Sequence, residues 1–340
     1  MGTNKDLVSI IITTCRGDKR LRRAVDSVLS QTYFNIEIII VDDNGKNTEA
    51  QKNTYNIIKD YIIENKVKYV IHETNRNGAV ARNTGFNNSQ GQYIGFLDDD
   101  DMYLPSRIEK LVKAMREKKS DAAYSSVIFI DEEAIIGERR AKRNGFTQGE
   151  FLINQSLLGT GSNVFVTRKA FDSVKGFDES FQRYQDVEFM IRVLDKHQIV
   201  GIDDYLVVKD NTAARFYPNF EHFRRTQQKF IDKFKNLIFA LKPEEKRACL
   251  ISKKKELLFS GYASMKSKNI TMGWEDLNKW ITDLSMKEKI LIRIKGIYIK
   301  LVSNHLKPFK LIKKEIRMWC LRRKIPQDVL YEVNRMISNQ

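Results

Sequence analysis

Five short apolar runs, each followed by polar residues, restrict this chain more than any other feature. Residues 7–12, 36–41, 68–72, 93–97 and 122–130 are rich in Ile, Val, Leu, Tyr and Phe and read as buried strands. Between them, residues 21–31, 48–64, 79–88 and 105–118 read as helices. Leu21, Ala24, Val25, Val28 and Leu29 show helical spacing in the first, and Pro105 opens the last. Strands alternating with helices predict an α/β domain on a mainly parallel sheet. In such sheets ligands bind beyond the carboxyl ends of the strands. Four polar clusters fall at those ends, at residues 13–16, 42–44, 75–78 and 98–101.

The rest of the chain is less uniform. Residues 131–161 are rich in Arg, Glu, Asn and Gly and read as an irregular loop region over the site. Residues 163–167 read as a strand, and 181–194 contain a helix. From about residue 220 the pattern is helical and basic, without alternation. The boundary falls between 210 and 220, giving a domain over 1–215 and a helical region over 216–340. A formal net charge of +16 favours an anionic partner: nucleic acid, an anionic membrane surface or a phosphorylated substrate. The three cysteines, Cys15, Cys249 and Cys320, are far apart and form no CxxC pair, which argues against a disulfide framework or a zinc site. A cytoplasmic location is the expectation. The first seven residues lack the apolar stretch of a signal peptide, and no apolar run is long enough for a membrane span.

Asp98, Asp99, Asp100 and Asp101 follow an apolar strand directly. Adjacent carboxylates repel, so they need solvent or a cation. A hard divalent cation takes oxygen ligands and commonly keeps substrate phosphates in its shell. In extended backbone Asp98 and Asp100 would project to one side and share such a metal. The bland alternative is a solvated acidic turn. Asp42 and Asp43 end the second strand, where a carboxylate can accept from a nucleobase N–H or simply close an Asx turn. Asn75, Arg82 and Asn83 surround a turn and helix start suited to phosphate. Asp186 reads either as a helix N-terminal carboxylate or as a general base for an acceptor hydroxyl. His72, His197, His222 and His305 have no metal-ligand spacing.

In order, several segments match a family pattern. They are 8–14 (VSIIITT), 24–33 (AVDSVLSQTY), 38–43 (IIIVDD), 81–85 (ARNTG) and 96–101 (FLDDDD), then 176–179 (GFDE) with Gln185-Asp186. Residues 7–210 thereby resemble the family-2 glycosyltransferases of GT-A fold. The resemblance implies an inverting transfer from a UDP-sugar to a glycan acceptor in bacterial surface-polysaccharide synthesis, with Mn2+ or Mg2+. It places Thr13 and Asp43 at the base, and Asn75 and Arg82 on the donor. Asp98 and Asp99 fall at the ribose or sugar phosphate, Asp98 and Asp100 at the metal, and Asp186 is the base. The chain departs from the pattern at Thr13, where Pro is common, and at Cys15, where an aromatic often stacks. It departs again at Asn211, in place of a late His that helps bind metal or diphosphate.

Residues 287–324 interleave apolar and basic side chains, among them Lys289, Arg293, Lys295, Lys300, Lys310, Lys313, Lys314, Arg317, Arg322, Arg323 and Lys324. Such a segment suits an anionic membrane surface and a lipid-linked acceptor. It equally suits a helical bundle with a homo-oligomer or core face. Two other functional readings compete: a nucleotide-sugar-binding module without turnover, and a basic nucleic-acid-binding protein. The second leaves the four carboxylates unexplained, since they repel phosphate backbones, and no nucleic-acid partner is expected.

Overall fold

The structure is a computed structural model and describes residues 6–132, 134–212, 219–303, 321 and 324–338. Of the basic segment, Lys310, Lys313, Lys314, Arg317, Arg322 and Arg323 lie outside the described residues, as do His305 and Cys320. The chain forms two compact units. The first comprises Met1–Gln148, Ser156–Ala213 and Cys320–Gln340; the second comprises Gly149–Gln155 and Ala214–Trp319.

The first unit alternates as expected: β1 (Val8–Thr14), α1 (Arg20–Leu29), β2 (Ile36–Asp42), α2 (Glu49–Ile63), β3 (Lys68–Ile71), α3 (Gly78–Asn87), β4 (Tyr93–Asp98), β5 (Met102–Tyr103), α4 (Arg107–Lys118) and β6 (Ala122–Asp131). Then come β7 (Ala134–Arg139), β8 (Phe165–Thr167), α6 (Arg168–Ser173), α7 (Gln185–Val193) and β9 (Ile199–Asp210), while α5 (Gln148–Ile153), between β7 and β8 in the chain, belongs from Gly149 onward to the second unit. One sheet runs β3-β2-β1-β4-β8-β6-β9-β5, with β7 paired to β6. β1, β2, β3 and β4 pair in parallel, as do β6 and β9. Val8, Ile10, Ile11 and Ile12 of β1 are fully buried, which is why an unbroken apolar run marks this strand.

One expectation needed correction, and one strand was not anticipated. The segment over 131–161 is not irregular throughout: β7 forms an antiparallel hairpin with β6. Its side chains alternate between buried and half-buried, and its apolar residues, Ala134, Ile135 and Ile136, give way at once to Gly137, Glu138 and Arg139, too short a run to mark a strand. The strand not anticipated is β9, of 12 residues, whose apolar residues Asp203 and Asp204 split into two short runs. The register passes from Ser125–Ile202 to Ser126–Tyr205, so those two acids bulge from the ladder. Arg140 and Lys110 hold them, at 2.7 and 2.8 Å.

Glycine decides one close approach. A Cβ at Gly85 would lie 2.3 Å from Cγ2 of buried Ile11, so only glycine lets α3 settle on β1. Below α3, Phe86 and Phe171 stack with centroids 3.9 Å apart, and Phe177 stacks on Phe189 at 4.3 Å. Phe96 of β4 lies 6.0 Å from Phe171 and 5.1 Å from Phe177, which ties α3, α6 and α7 to the sheet.

The second unit is helical: α8 (Phe220–Lys233), α9 (Lys235–Ala240), α10 (Pro243–Ala263), α11 (Ser267–Trp280) and α12 (Met286–Ser303). The last helix, α13 (Gln327–Ser338), belongs to the first unit. Its Leu330, Val333 and Ile337 pack with Met102, Ile128, Tyr205 and Val208, stapling β5, β6 and β9 together. Among the described residues no helix is long and apolar enough to cross a membrane.

Candidate active site

The four aspartates do not continue the strand. β4 stops at Asp98, and the amide of Asp101 donates to the carbonyl of Asp98 at 3.1 Å, closing a turn into β5. The simple alternation expected for extended backbone therefore fails. Asp98 and Asp100 still converge, but Asp101 joins them, and the three offer carboxylate oxygens within 4.8 Å of one another. Asp99 turns away and accepts from the Thr14 hydroxyl at 2.7 Å.

Asp99, Asp100 and Asp101 are buried and Asp98 is half-buried, so their charge must be met locally. Arg82 Nη2 lies 2.7 Å from Asp98 Oδ1, and Arg16 lies 3.6 Å from Asp99 and 3.5 Å from Asp100. Lys209 Nζ, from β9, lies 3.7, 3.4 and 3.1 Å from Asp98, Asp100 and Asp101. Asp101 also accepts from the Ser162 hydroxyl at 2.5 Å and the Asp210 amide at 3.1 Å. The responses divide. Burial pushes Asp101 up to about 7 and Asp99 up to about 6. For Asp98, burial is outweighed by Arg82 and Lys209, which hold its carboxyl below the usual range. Lys209 is held charged: the facing carboxylates outweigh its burial and raise its pKa.

Arg82 also reaches the other half of the site. Its Nη1 donates to Gln185 Oε1 at 2.8 Å, beside Asp186 in the first turn of α7. A Cβ at Gly161 would lie 3.7 Å from an Asp186 carboxylate oxygen and 3.8 Å from Arg82 Nη2, so the two groups border one small space. Burial raises the Asp186 carboxyl, with Arg82 opposing. A carboxylate shifted upward is a stronger proton acceptor.

Thr13 pairs in register with Asp98 on one side and Val41 on the other, at the strand ends. Asp43 is buried, and its oxygens accept from the amides of Arg76 and Asn77 at 2.8 and 3.0 Å. His72 Nδ1 adds a contact at 2.7 Å. Asn75 donates to the Asp43 carbonyl at 2.6 Å. Asp43 and Asn75 thus shape the loop before α3, whose first amides are capped by Asn77. Asn211 donates its amide to Ile130 at 2.8 Å, and it is Lys209, two residues earlier, that enters the acidic cluster.

The donor set fits a hard divalent cation. Three carboxylates converge, and a cation already stands among them in the form of the Lys209 ammonium. Asp98, Asp100 and Asp101 would hold the metal. Sequence reasoning missed Asp101, Arg16, Ser162 and Lys209. The position of Lys209, just before Asn211 in the stretch that departs from the family pattern, was the available signal.

Residues 9–175 match the family model Glycosyl transferase family 2. An uncharacterized glycosyltransferase of Methanocaldococcus jannaschii is 31% identical over 222 residues, covering 62% of this chain and 75% of that protein. Among solved structures, S. aureus TarS 1-349 in complex with UDP-GlcNAc aligns with a TM-score of 0.54 at 15% identity, over 80% of this chain and 92% of that one. A mannosyltransferase from Pyrobaculum calidifontis, in complex with GDP-Man and Mn2+, aligns with a TM-score of 0.51 at 15% identity, over 96% and 88%. The structural likenesses establish the GT-A fold.

Proposed function

The chain belongs to glycosyl transferase family 2, and from that premise we propose that it transfers a sugar, with inversion, from a UDP-sugar to a hydroxyl of a glycan acceptor. The observation that carries this reading is the span of Arg82. One guanidinium joins the acidic turn at Asp98 to Gln185 beside the proposed base, at 2.7 and 2.8 Å. Donor phosphate and acceptor hydroxyl would meet across that short distance.

In this reading Asp186 takes the proton from the acceptor hydroxyl. The oxygen bonds to the anomeric carbon while the bond to the diphosphate breaks, and UDP leaves with the electron pair. Arg82, and Arg16 beside Asp99, supply positive charge toward the donor phosphates. Thr13 and the loop held by Asp43 and Asn75 form the base pocket. Asp98 and Asp99 orient the ribose or sugar phosphate. When bound at Asp98, Asp100 and Asp101, Mn2+ or Mg2+ offsets charge developing on the leaving diphosphate.

The acceptor is proposed to be lipid-linked, within bacterial polysaccharide synthesis. Along α12, Met286, Ile290, Leu291, Ile294, Ile297 and Tyr298 are exposed. Lys287, Lys289, Arg293, Lys295 and Lys300 share that helix with a single acid, Glu288. An apolar stripe among cations is suited to the headgroup region of an anionic membrane. The test of the activity is a panel of UDP-sugars followed for slow hydrolysis and transfer by mass spectrometry. One preferred sugar supports the reading; inert behaviour toward every UDP-sugar, with turnover of another nucleotide sugar, would replace UDP.

A further inference from the structure

The three carboxylates that fit a metal divide their oxygens in a regular way. Asp98 gives Oδ1 to Arg82 and Oδ2 to Lys209. Asp100 gives Oδ2 to Arg16 and Oδ1 to Lys209. Asp101 gives Oδ2 to Ser162 and Thr160, and Oδ1 to Lys209. Each outer oxygen faces a protein donor other than Lys209, and each inner oxygen faces the one ammonium, which at Asp101 it shares with the Asp210 amide. A divalent cation bonded to those inner oxygens, at roughly 2.0–2.6 Å, would occupy the volume the ammonium now fills. The two charges cannot be there together.

The backbone under Lys209 is fixed. It lies in β9 opposite Phe129 of β6. The next residue, Asp210, donates its amide to Asp101 and is locked to Arg23 at 2.6 Å. Any motion is therefore confined to the side chain, a flexible four-carbon stem. A side-chain exposure of 22% leaves it an exit.

We propose that Lys209 is a tethered competitor for the divalent cation. Its ammonium neutralises the acidic turn in the free protein. It releases the three oxygens when a nucleoside diphosphate arrives, because the diphosphate brings further oxygen ligands and an anionic partner for the displaced amine. Metal and nucleotide binding are coupled through this residue, and metal alone binds weakly. The inference rests on the reading of the acidic turn as a metal–diphosphate site.

The test is Mn2+ binding to the full chain, followed by electron paramagnetic resonance with and without UDP. Lys209→Met should bind Mn2+ alone at least tenfold more tightly than the wild type, and UDP should tighten Mn2+ binding far more in the wild type. Equal Mn2+ affinity of the two proteins without UDP overturns the competitor role and leaves the metal site standing. If Asp100→Asn binds Mn2+ like the wild type, the site reading itself fails and takes the inference with it. Should Lys209→Met not fold, acylation mapping on the wild type decides. Saturating Mn2+ should raise the labelling of Lys209 severalfold, and unchanged labelling overturns the proposal.

Discussion

The acidic turn and helix α12 are both runs of like charge, and the fold treats them in opposite ways. Asp99, Asp100 and Asp101 are almost wholly buried, and Arg16, Arg82 and Lys209 meet the turn's charge. On α12 the cations share a helix with exposed Ile290, Leu291, Ile294 and Ile297. Burial in one case forces neutralisation by distant parts of the chain, since an unpaired interior charge is too costly. On an exposed helix solvent screens each charge, and no such demand arises. A buried charge cluster therefore records what it was built to hold, while an exposed one offers itself to a partner.

Four changes would break or sharpen this contrast. The largest effect belongs to the buried site: Asp186→Asn should lower kcat about 10²–10⁴-fold while donor affinity stays within about twofold. Steady-state kinetics with a calorimetric donor titration checks it, and retained turnover would move the base elsewhere. Next, Arg82→Ala should cost about 2 kcal/mol of stability by chemical denaturation, because Asp98, 29% exposed at its side chain, loses its closest partner. Arg82→Lys should not restore it, since two separate nitrogens bond Asp98 and Gln185.

A pH effect follows in size. Asp99 and Asp101 titrate above their unfolded values, at about 6 and about 7. Their contribution to stability is present below the unfolded pKa and is lost as pH rises through the folded one. Metal-free protein should therefore be more stable at pH 5.5 than at pH 7.5, by on the order of 1–2 kcal/mol. Thermal melts in chelator check it, and saturating Mn2+ should reverse the trend. The smallest folding effect belongs to the exposed helix. Lys287→Glu with Lys289→Glu should change stability by less than about 0.5 kcal/mol. The same pair should weaken binding to anionic vesicles at least tenfold, at about 1 kcal/mol per basic residue near the surface. Wild-type protein that ignores anionic vesicles at low salt would remove the membrane from the account.

The contrast also explains what could be read in advance. β1, β2, β4 and β6 were legible because burial on both faces leaves an unbroken apolar run. Asp98 and Asp100 were legible because such a run delivers them to a strand end. Lys209 was not, because its role depends on a contact 109 residues away from Asp100, within a strand that Asp203 and Asp204 disguise. Asp101 was missed because alternation in extended backbone excluded it, whereas the observed turn brings it in. Asp43 was placed at the correct strand end, but sequence held no sign that the amides of Arg76 and Asn77 would occupy its oxygens.

The central claim is that the acidic turn serves a nucleotide diphosphate. Calorimetric titration of UDP, with and without Mn2+, into the wild type and Asp100→Ala tests it most directly. The account predicts UDP binding that Mn2+ strengthens in the wild type, with that strengthening lost in Asp100→Ala. UDP affinity that is the same in both proteins, with or without Mn2+, would contradict it.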